Sequence, residues 1–391
     1  MVQKHTSEKG DLLNQLSLSE SCREAWVEVN LGNIRHNIQQ ALTISECKAF
    51  FAVVKANGYG HGDVAISSIA LSAGAKKLCV ATLDEALRLR KYFPNAEILI
   101  LGAVAHEYIP IAADNNIELT VIDVQFARAL RKFKGKPLKV HLKVDTGMNR
   151  LGLVGESEIL ETNRILNNNK CLVKEGIFSH YHSADSVDES HTLSQLSKFK
   201  ALVAQLDVNS YRYVHISNSA GMVIVNKDES IGCGRLGILM YGINPGPRSN
   251  ALNDFKPALS LKAKVVHIKQ LEPGETVGYS RGFVASKRTM IGILPIGYAD
   301  GLWRYNEGKS VSINNVRYKI VGRISMDQCM IEIDSRVCVG DVATLYGEEI
   351  DISKRAEELN TIPYELLCGI SSRVPRRYIN APLGALEKTI I

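Results

Sequence analysis

The sequence predicts an α/β protein, with an N-terminal (β/α)8 TIM-type barrel followed by a mostly β C-terminal domain. Three observations carry that prediction. Between residues 49 and 242, short β-branched runs alternate with helical stretches, which implies a parallel sheet covered by helices. Beyond about residue 250 the helical stretches nearly vanish, and strand-like runs follow one another across turns. A length of 391 residues is also long for a single domain.

Residues 1–24 are polar and read as a flexible N-terminal extension, with no apolar stretch of the kind a signal peptide needs. AWVEVNL (25–31) alternates like a strand, and its place ahead of the barrel makes it a candidate to join the C-terminal domain. NIRHNIQQAL then has helical spacing. The eight barrel strands are expected at AFFAVV (49–54), LCVAT (78–82), EILILGA (97–103), ELTVID (118–123), LKVHLKVD (138–145), KEGIFSHY (174–181), YRYVHIS (211–217) and GRLGILMYG (234–242). Helices are expected between them, as at 84–93 and 156–168. Eight such units fit a closed barrel over residues 25–250, with an open doubly wound sheet as the alternative. In 251–391, SLKAKVVHIKQL, TMIGILPIG, KSVSINNVRYKIVGRI, QCMIEID and DVATLYG read as strands, and SKRAEELN and PYELLCGI as helices.

Composition narrows the function. The 47 Lys and Arg are interleaved with 41 Asp and Glu, giving a formal charge of +6 without a basic block, so no nucleic-acid partner is expected. The longest apolar run, 98–105, is too short to span a bilayer, so no membrane partner is expected either. No CxxC pair occurs among the eight cysteines. Cys79, Cys171, Cys329 and Cys338 lie in or beside apolar runs and read as reduced, buried thiols of a cytoplasmic protein. No metal site is indicated.

In a barrel, chemistry sits where strands end. The first strand ends in Lys55, within VVKANGYGHG. Burial disfavours the charged ammonium, and a neutral amine can form a Schiff base with an aldehyde cofactor. A lysine that simply closes a strand and reaches solvent is the plainer alternative on position alone. The glycine-rich turn after Lys55 favours the first reading, because such turns expose N–H groups to phosphate. Tyr59 lies four residues on, and Asn218, Ser219, Gly237 and Ile238 fall in the loops with which barrels often hold phosphate. A Schiff-base lysine with a phosphate cradle points to pyridoxal 5'-phosphate.

VVKANGYGHG, LKVDTGMNRLG, SHYHSAD, HISNSAG, RLGILMYG, LPIGYADG and VGRISMDQ, in that order, resemble the alanine racemase family from about residue 25 to 380. The resemblance implies a barrel followed by a β domain, pyridoxal phosphate on Lys55, and interconversion of L- and D-alanine that supplies D-alanine for peptidoglycan. It implies a homodimer in which Tyr298 of one subunit serves the other's site as the second acid–base group. A tyrosine is a weak acid and needs a cationic neighbour to do this near neutral pH. Arg235 would face the pyridine nitrogen, with His180 hydrogen-bonded to it. Tyr59, Ser219, Gly237 and Ile238 would hold the phosphate beside Asn218. Arg150 would support the cofactor's phenolic oxygen and the substrate carboxylate, and Met326 of the partner would reach that carboxylate through its backbone.

Some family members carry a carbamate at the position of Lys143. An ordinary ion pair with Asp145, two residues along the same strand, or with a neighbour is the alternative. Two residues depart from the family pattern. Ser372 stands where the family often has a tyrosine lining the entrance, which opens the alternative of a broad-specificity or serine racemase. Asn149 replaces a glycine, and Asn tolerates turn conformations. A barrel decarboxylase would place an acid where Arg235 stands. A non-catalytic carrier of pyridoxal phosphate would leave Tyr298 and Met326 without a role.

Overall fold

The computed structural model describes residues 21–45, 47–225, 232–246 and 254–382, so most of the expected N-terminal extension lies outside the described residues. The described chain forms two compact units. One holds residues 34–58 and 66–256, and the other holds 21–33, 59–65 and 257–382. Residues 59–65, within the stretch assigned to the barrel, thus group with the β-rich unit.

Strand β1 (Ala25–Asn30) comes first. Eight strands then close into a barrel in chain order: β2 (Ala49–Val53), β3 (Lys77–Val80), β4 (Ile98–Ile100), β5 (Ile117–Val121), β6 (Leu138–Lys143), β7 (Leu172–Phe178), β8 (Tyr213–His215) and β9 (Cys233–Leu236). Every neighbouring pair is parallel, including β2 with β9, which excludes the open sheet. Helix starts follow local chemistry. Thr82 and Glu85 form a reciprocal capping box at the helix Leu83–Tyr92, and Asp123 caps Val124–Arg131.

The barrel interior is unusually polar. Along β6, Leu138, Val140 and Leu142 alternate with Lys139, His141 and Lys143. The second set meets its partners inside the barrel: His141 bonds Glu118 of β5 and His215 of β8. Lys77 of β3, fully buried, reaches Glu118 at 2.7 Å, Glu175 of β7 at 3.0 Å and Glu97, just before β4, at 2.7 Å. Buried charges persist only when paired in this way.

The second unit carries β10 (Leu259–Lys264), β11 (His267–Leu271), β12 (Thr276–Val277), β13 (Phe283–Val284), β14 (Thr289–Leu294), β15 (Ser310–Ile313), β16 (Val316–Val321), β17 (Cys329–Ile333), β18 (Val342–Tyr346) and β19 (Arg376–Ile379). Nine strands form one sheet in the order β11-β14-β17-β16-β15-β18-β10-β1-β19, and β12 pairs with β13. β1 lies between β10, antiparallel, and β19, parallel. Asn314 and Asn315, both at positive φ, make the tight turn from β15 to β16. Arg23 is already anchored in this unit, donating to Asp300 at 2.6 Å.

Several boundaries differ from expectation. The run 234–242 is strand only to Leu236; a short 3-10 turn, Ile238–Tyr241, follows. The run 260–271 divides into β10 and β11, which pair with different partners. The short strands β12, β13 and β19 had no sequence signal strong enough to name them. Among the described residues no disulfide is formed, and of the four cysteines expected to be buried Cys79 and Cys329 are, Cys171 is half-buried and Cys338 is exposed. Among the described residues, no helix is long and apolar enough to cross a membrane.

Candidate active site

Lys55 stands two residues beyond β2 and opens a turn of unusual hand. Ala56, Asn57 and Gly58 have φ/ψ of 53°/50°, 53°/46° and 59°/45°, and Tyr59 follows with φ 51°. Left-handed backbone costs a residue with a β-carbon about 1–2 kcal/mol, so something must hold it. Glu85 accepts the Ala56 N–H at 2.7 Å, and Val54 accepts the Gly58 N–H at 2.9 Å. Glu85 is itself fixed by the N–H groups of Ala81 and Thr82. The amides of Ala56 and Gly58 are therefore engaged within the protein. They do not form the open phosphate nest that the glycine-rich sequence suggested.

Positive charge gathers near Lys55. Lys143, 5% exposed, has its ammonium pushed down to about 8, first by burial and then by Arg150 and Arg235, with Lys55 adding to them and Asp145 opposing. The same four cations, after burial itself, hold His180 well below the usual imidazole range. Asp145 does not neutralise this group by contact. Its carboxylate accepts the N–H groups of Gly147 at 2.8 Å, Asn149 at 3.1 Å and Arg150 at 3.2 Å. These bonds shape the loop that carries Arg150, in which Asn149 takes φ 53°. Among the described residues no carboxylate lies within ion-pair distance of Lys143, so the ion pair with Asp145, the alternative to a carbamate, is not formed. Its ammonium sits instead 5.5 Å over the Phe178 ring. The positive charges of Lys55, Arg150 and Arg235 thus bear together on Lys143 and His180, surroundings suited to an anionic ligand.

Arg235, on β9, is buried and has no carboxylate partner among the described residues. Its Nη2 donates to Ser179 O at 2.8 Å, Ile216 O at 2.9 Å and His180 Nδ1 at 3.0 Å, and its Nη1 donates to His215 Nδ1 at 2.6 Å. Burial draws it down to about 10, which leaves it cationic at neutral pH. Ser219 Oγ accepts the N–H of Gly237 at 2.8 Å, joining the loops after β8 and β9. Ile238 opens the 3-10 turn beyond them. Asn218 closes its own loop, accepting the Gly221 N–H at 2.9 Å and donating to Tyr181 O at 3.3 Å.

The remaining candidates belong to the β-rich unit. Tyr298 is 43% exposed, not a buried strand-end aromatic. Its turn, Tyr298–Asp300, is tied to the segment holding Met326, with Tyr298 N–H donating to Ser325 O at 3.1 Å and Ala299 N–H to Met326 O at 3.0 Å. Gly301 ends the turn at φ 99°, where a β-carbon would collide with the carbonyl of Gly369. An open depression beside it is lined by Tyr298, Trp303, Arg304 and Tyr305. Tyr59 is buried with its ring 6.0 Å from that of Tyr364, and Ser372 is exposed.

Sequence reasoning missed Glu85, Glu118, His141, Ser179 and His215. The alternation along β6 did contain a signal, since any inward face that includes Lys143 must also include His141. The partners on β5 and β8 depend on register between strands far apart in sequence.

Two family models match the chain: alanine racemase, N-terminal domain, over residues 29–245, and alanine racemase, C-terminal domain, over 258–378. Alanine racemase of Lactobacillus acidophilus is 41% identical over 369 residues, 91% of this chain and 98% of that protein. The crystal structure of alanine racemase from E. faecalis is similar with a TM-score of 0.86 and 40% identity, over 91% of this chain and 98% of that one. A histidine racemase from Leuconostoc mesenteroides has a TM-score of 0.85 at 30% identity, over 92% and 98% of the two chains. The chain belongs to the alanine racemase family, pyridoxal-phosphate-dependent racemases of the barrel type.

Proposed function

We propose that this protein interconverts L- and D-alanine as a homodimer, with Lys55 and Tyr298 of the partner subunit as the two acid–base groups. The observation that carries the reading is that Lys55, two residues beyond β2, shares its surroundings with Arg150 and the buried Arg235, whose charges both bear on Lys143 and His180. The donor set fits pyridoxal phosphate. Lys55 offers the amine, and Ser219 with the backbone at Gly237 and Ile238, beside Asn218 and with the Tyr59 hydroxyl, suits the phosphate. Arg235, a buried cation with no acid partner among the described residues, suits an acceptor nitrogen that stays unprotonated. When bound, the cofactor withdraws electrons from the substrate's α-carbon and loosens its C–H bond.

The protein's own groups do the rest. Lys55 and Tyr298 of the partner subunit hold the proton on opposite faces of the α-carbon, so a proton leaves one face and returns to the other without the substrate turning over. Arg150, together with the backbone of Met326 of the partner subunit, orients the substrate carboxylate. Arg235, kept in place by His180, limits how far negative charge drains into the ring, which disfavours side reactions such as transamination. The exposed Tyr298, Tyr305 and Met326 support a surface completed by a second copy. D-alanine made this way would serve peptidoglycan synthesis from the cytoplasm.

Lys143 is read as a carbamate that orients Arg150. An amine drawn down to about 8 has a neutral fraction near neutral pH, and only the neutral form adds carbon dioxide. That fraction grows as pH rises through 8, so labelled bicarbonate should give a carbamate carbon resonance that strengthens over this range. The resonance should be absent from Lys143→Arg, and a wild-type protein without it would sink the reading.

Ser372 favours a second reading, that of wider specificity, and a racemase of similar fold is named for histidine. Racemisation of L-alanine, L-serine and a bulkier L-amino acid with added pyridoxal phosphate separates the two. D-alanine formation that dominates the others is expected. Equal rates would transfer the protein to a broad-specificity racemase, and no racemisation of any of them would remove the proposal.

A further inference from the structure

A line of hydrogen bonds crosses the barrel interior from its N-terminal mouth to Arg235. Glu118 Oε2 lies 2.8 Å from His141 Nε2, His141 Nδ1 lies 3.3 Å from His215 Nε2, and His215 Nδ1 lies 2.6 Å from Arg235 Nη1. All four residues are buried. Arginine can only donate and a carboxylate can only accept, so the two ends impose one direction on everything between them. Arg235 donates to His215 Nδ1, His215 Nε2–H donates to His141 Nδ1, and His141 Nε2–H donates to Glu118. Both histidines must then be neutral with the proton on Nε2.

We infer that Glu118 is a positioning residue for the racemase reaction, acting through His141 and His215 to fix the orientation and donor pattern of Arg235. This rests on the reading of Arg235 as the partner of the cofactor's ring nitrogen.

Three further observations show that the line is built into the fold. Gly176 has no side chain because a β-carbon there would strike His141 Nδ1, and the β6–β7 pairing shifts register at this residue. His215 is clamped, stacked on Phe178 at 4.8 Å and edge-on to Phe51 at 5.0 Å. The ionisation states agree with the assigned direction. Burial, first, and the neighbouring cations hold His215 well below the usual imidazole range; burial also lowers His141, against the pull of Glu118. Burial alone would raise the Glu118 carboxyl, but the hydrogen bond from His141 and the hydrogen bond and charge of Lys77 overcome it and hold the carboxyl below its ordinary value.

Glu118→Gln makes a specific conflict. The amide oxygen is claimed by the Lys77 ammonium, so the amide N–H₂ turns to His141. That forces His141, and then His215, to carry the proton on Nδ1, where it opposes the donor of Arg235. Glu175→Gln is the control. Glu175 shares Lys77 with Glu118 but bonds neither histidine.

The test combines 15N resonances of histidine side chains in the holoenzyme, assigned with His141→Gln, with steady-state kinetics on alanine. In the wild type, His141 and His215 should both be Nε2–H. In Glu118→Gln they should move toward Nδ1–H, with kcat down about tenfold and KM changed less than about twofold, as befits a lost charge-assisted bond acting on the transition state. Glu175→Gln should keep both tautomers and kcat. Unmoved tautomers in Glu118→Gln, or an equal fall in kcat from Glu175→Gln, would overturn the inference. If Glu118→Gln does not fold, His141→Gln breaks the line while leaving the Lys77 cluster whole; an undiminished kcat there overturns it too. The reading beneath it is checked separately by Arg235→Lys. An unchanged cofactor absorption band and rate in that variant would remove Arg235 from the ring nitrogen, whatever the histidine tautomers show.

Discussion

Tyr298→Phe is expected to lower kcat/KM for racemisation by about 10²–10⁴-fold, the usual worth of a positioned acid–base group, while the bound cofactor's absorbance stays as it was. The hydroxyl is the only atom removed. The turn that carries it is held by backbone bonds to Ser325 and Met326 and by Asp300 accepting the Gly297 N–H, none of which uses the ring. Because L- and D-alanine have equal free energies, the loss in kcat/KM must be the same in both directions. The asymmetry appears elsewhere. In deuterated water the enantiomer whose α-hydrogen faces Lys55 should still exchange it, without inversion, while its mirror image should not. Exchange of both enantiomers, or racemisation at the wild-type rate, would take Tyr298 out of the mechanism.

Lys55→Ala should have the larger effect, about 10⁴-fold or more, since on the proposed mechanism it removes the covalent tether and one acid–base group together. The backbone should tolerate it. The left-handed turn is held by Glu85 and Val54, and Lys55 itself lies just before the positive-φ residues. Two readouts distinguish loss of chemistry from loss of fold. The absorption band of bound pyridoxal phosphate should shift to that of the untethered aldehyde, and a small primary amine added to the buffer should restore part of the rate. A variant that keeps its rate and band would return Lys55 to a strand cap.

The legible parts of this protein were those encoded by local pattern. Eight β-branched runs at helix-length intervals gave the barrel, and Lys55 and Ser219 were candidates because they follow expected strands, whereas Arg235, at the start of its run, was singled out by the family resemblance alone. Features set by pairing across the fold were harder to read. Glu118, His141 and His215 lie on three strands, and nothing local says that they meet. The turn after Lys55 looked like a phosphate nest from its glycines, yet Glu85, almost thirty residues away, takes one of its amides. The end of β9 was overestimated because ILMY has the composition of a strand, while its bond from Met240 N–H to Gly237 O winds it into a 3-10 turn.

The ionic interior has a consequence for how the barrel assembles. Its charged and imidazole groups come from β3, β5, β6, β7, β8 and β9, with Glu97 just ahead of β4. A barrel with one strand missing would leave Lys77, Glu118 or Arg235 without a full set of partners and open to water. A hydrophobic interior penalises such a gap gently, since apolar surface can collapse onto itself. Here each strand that docks also completes an ion pair or hydrogen bond begun on another strand, so charge pairing rewards the last closure as well as burial does.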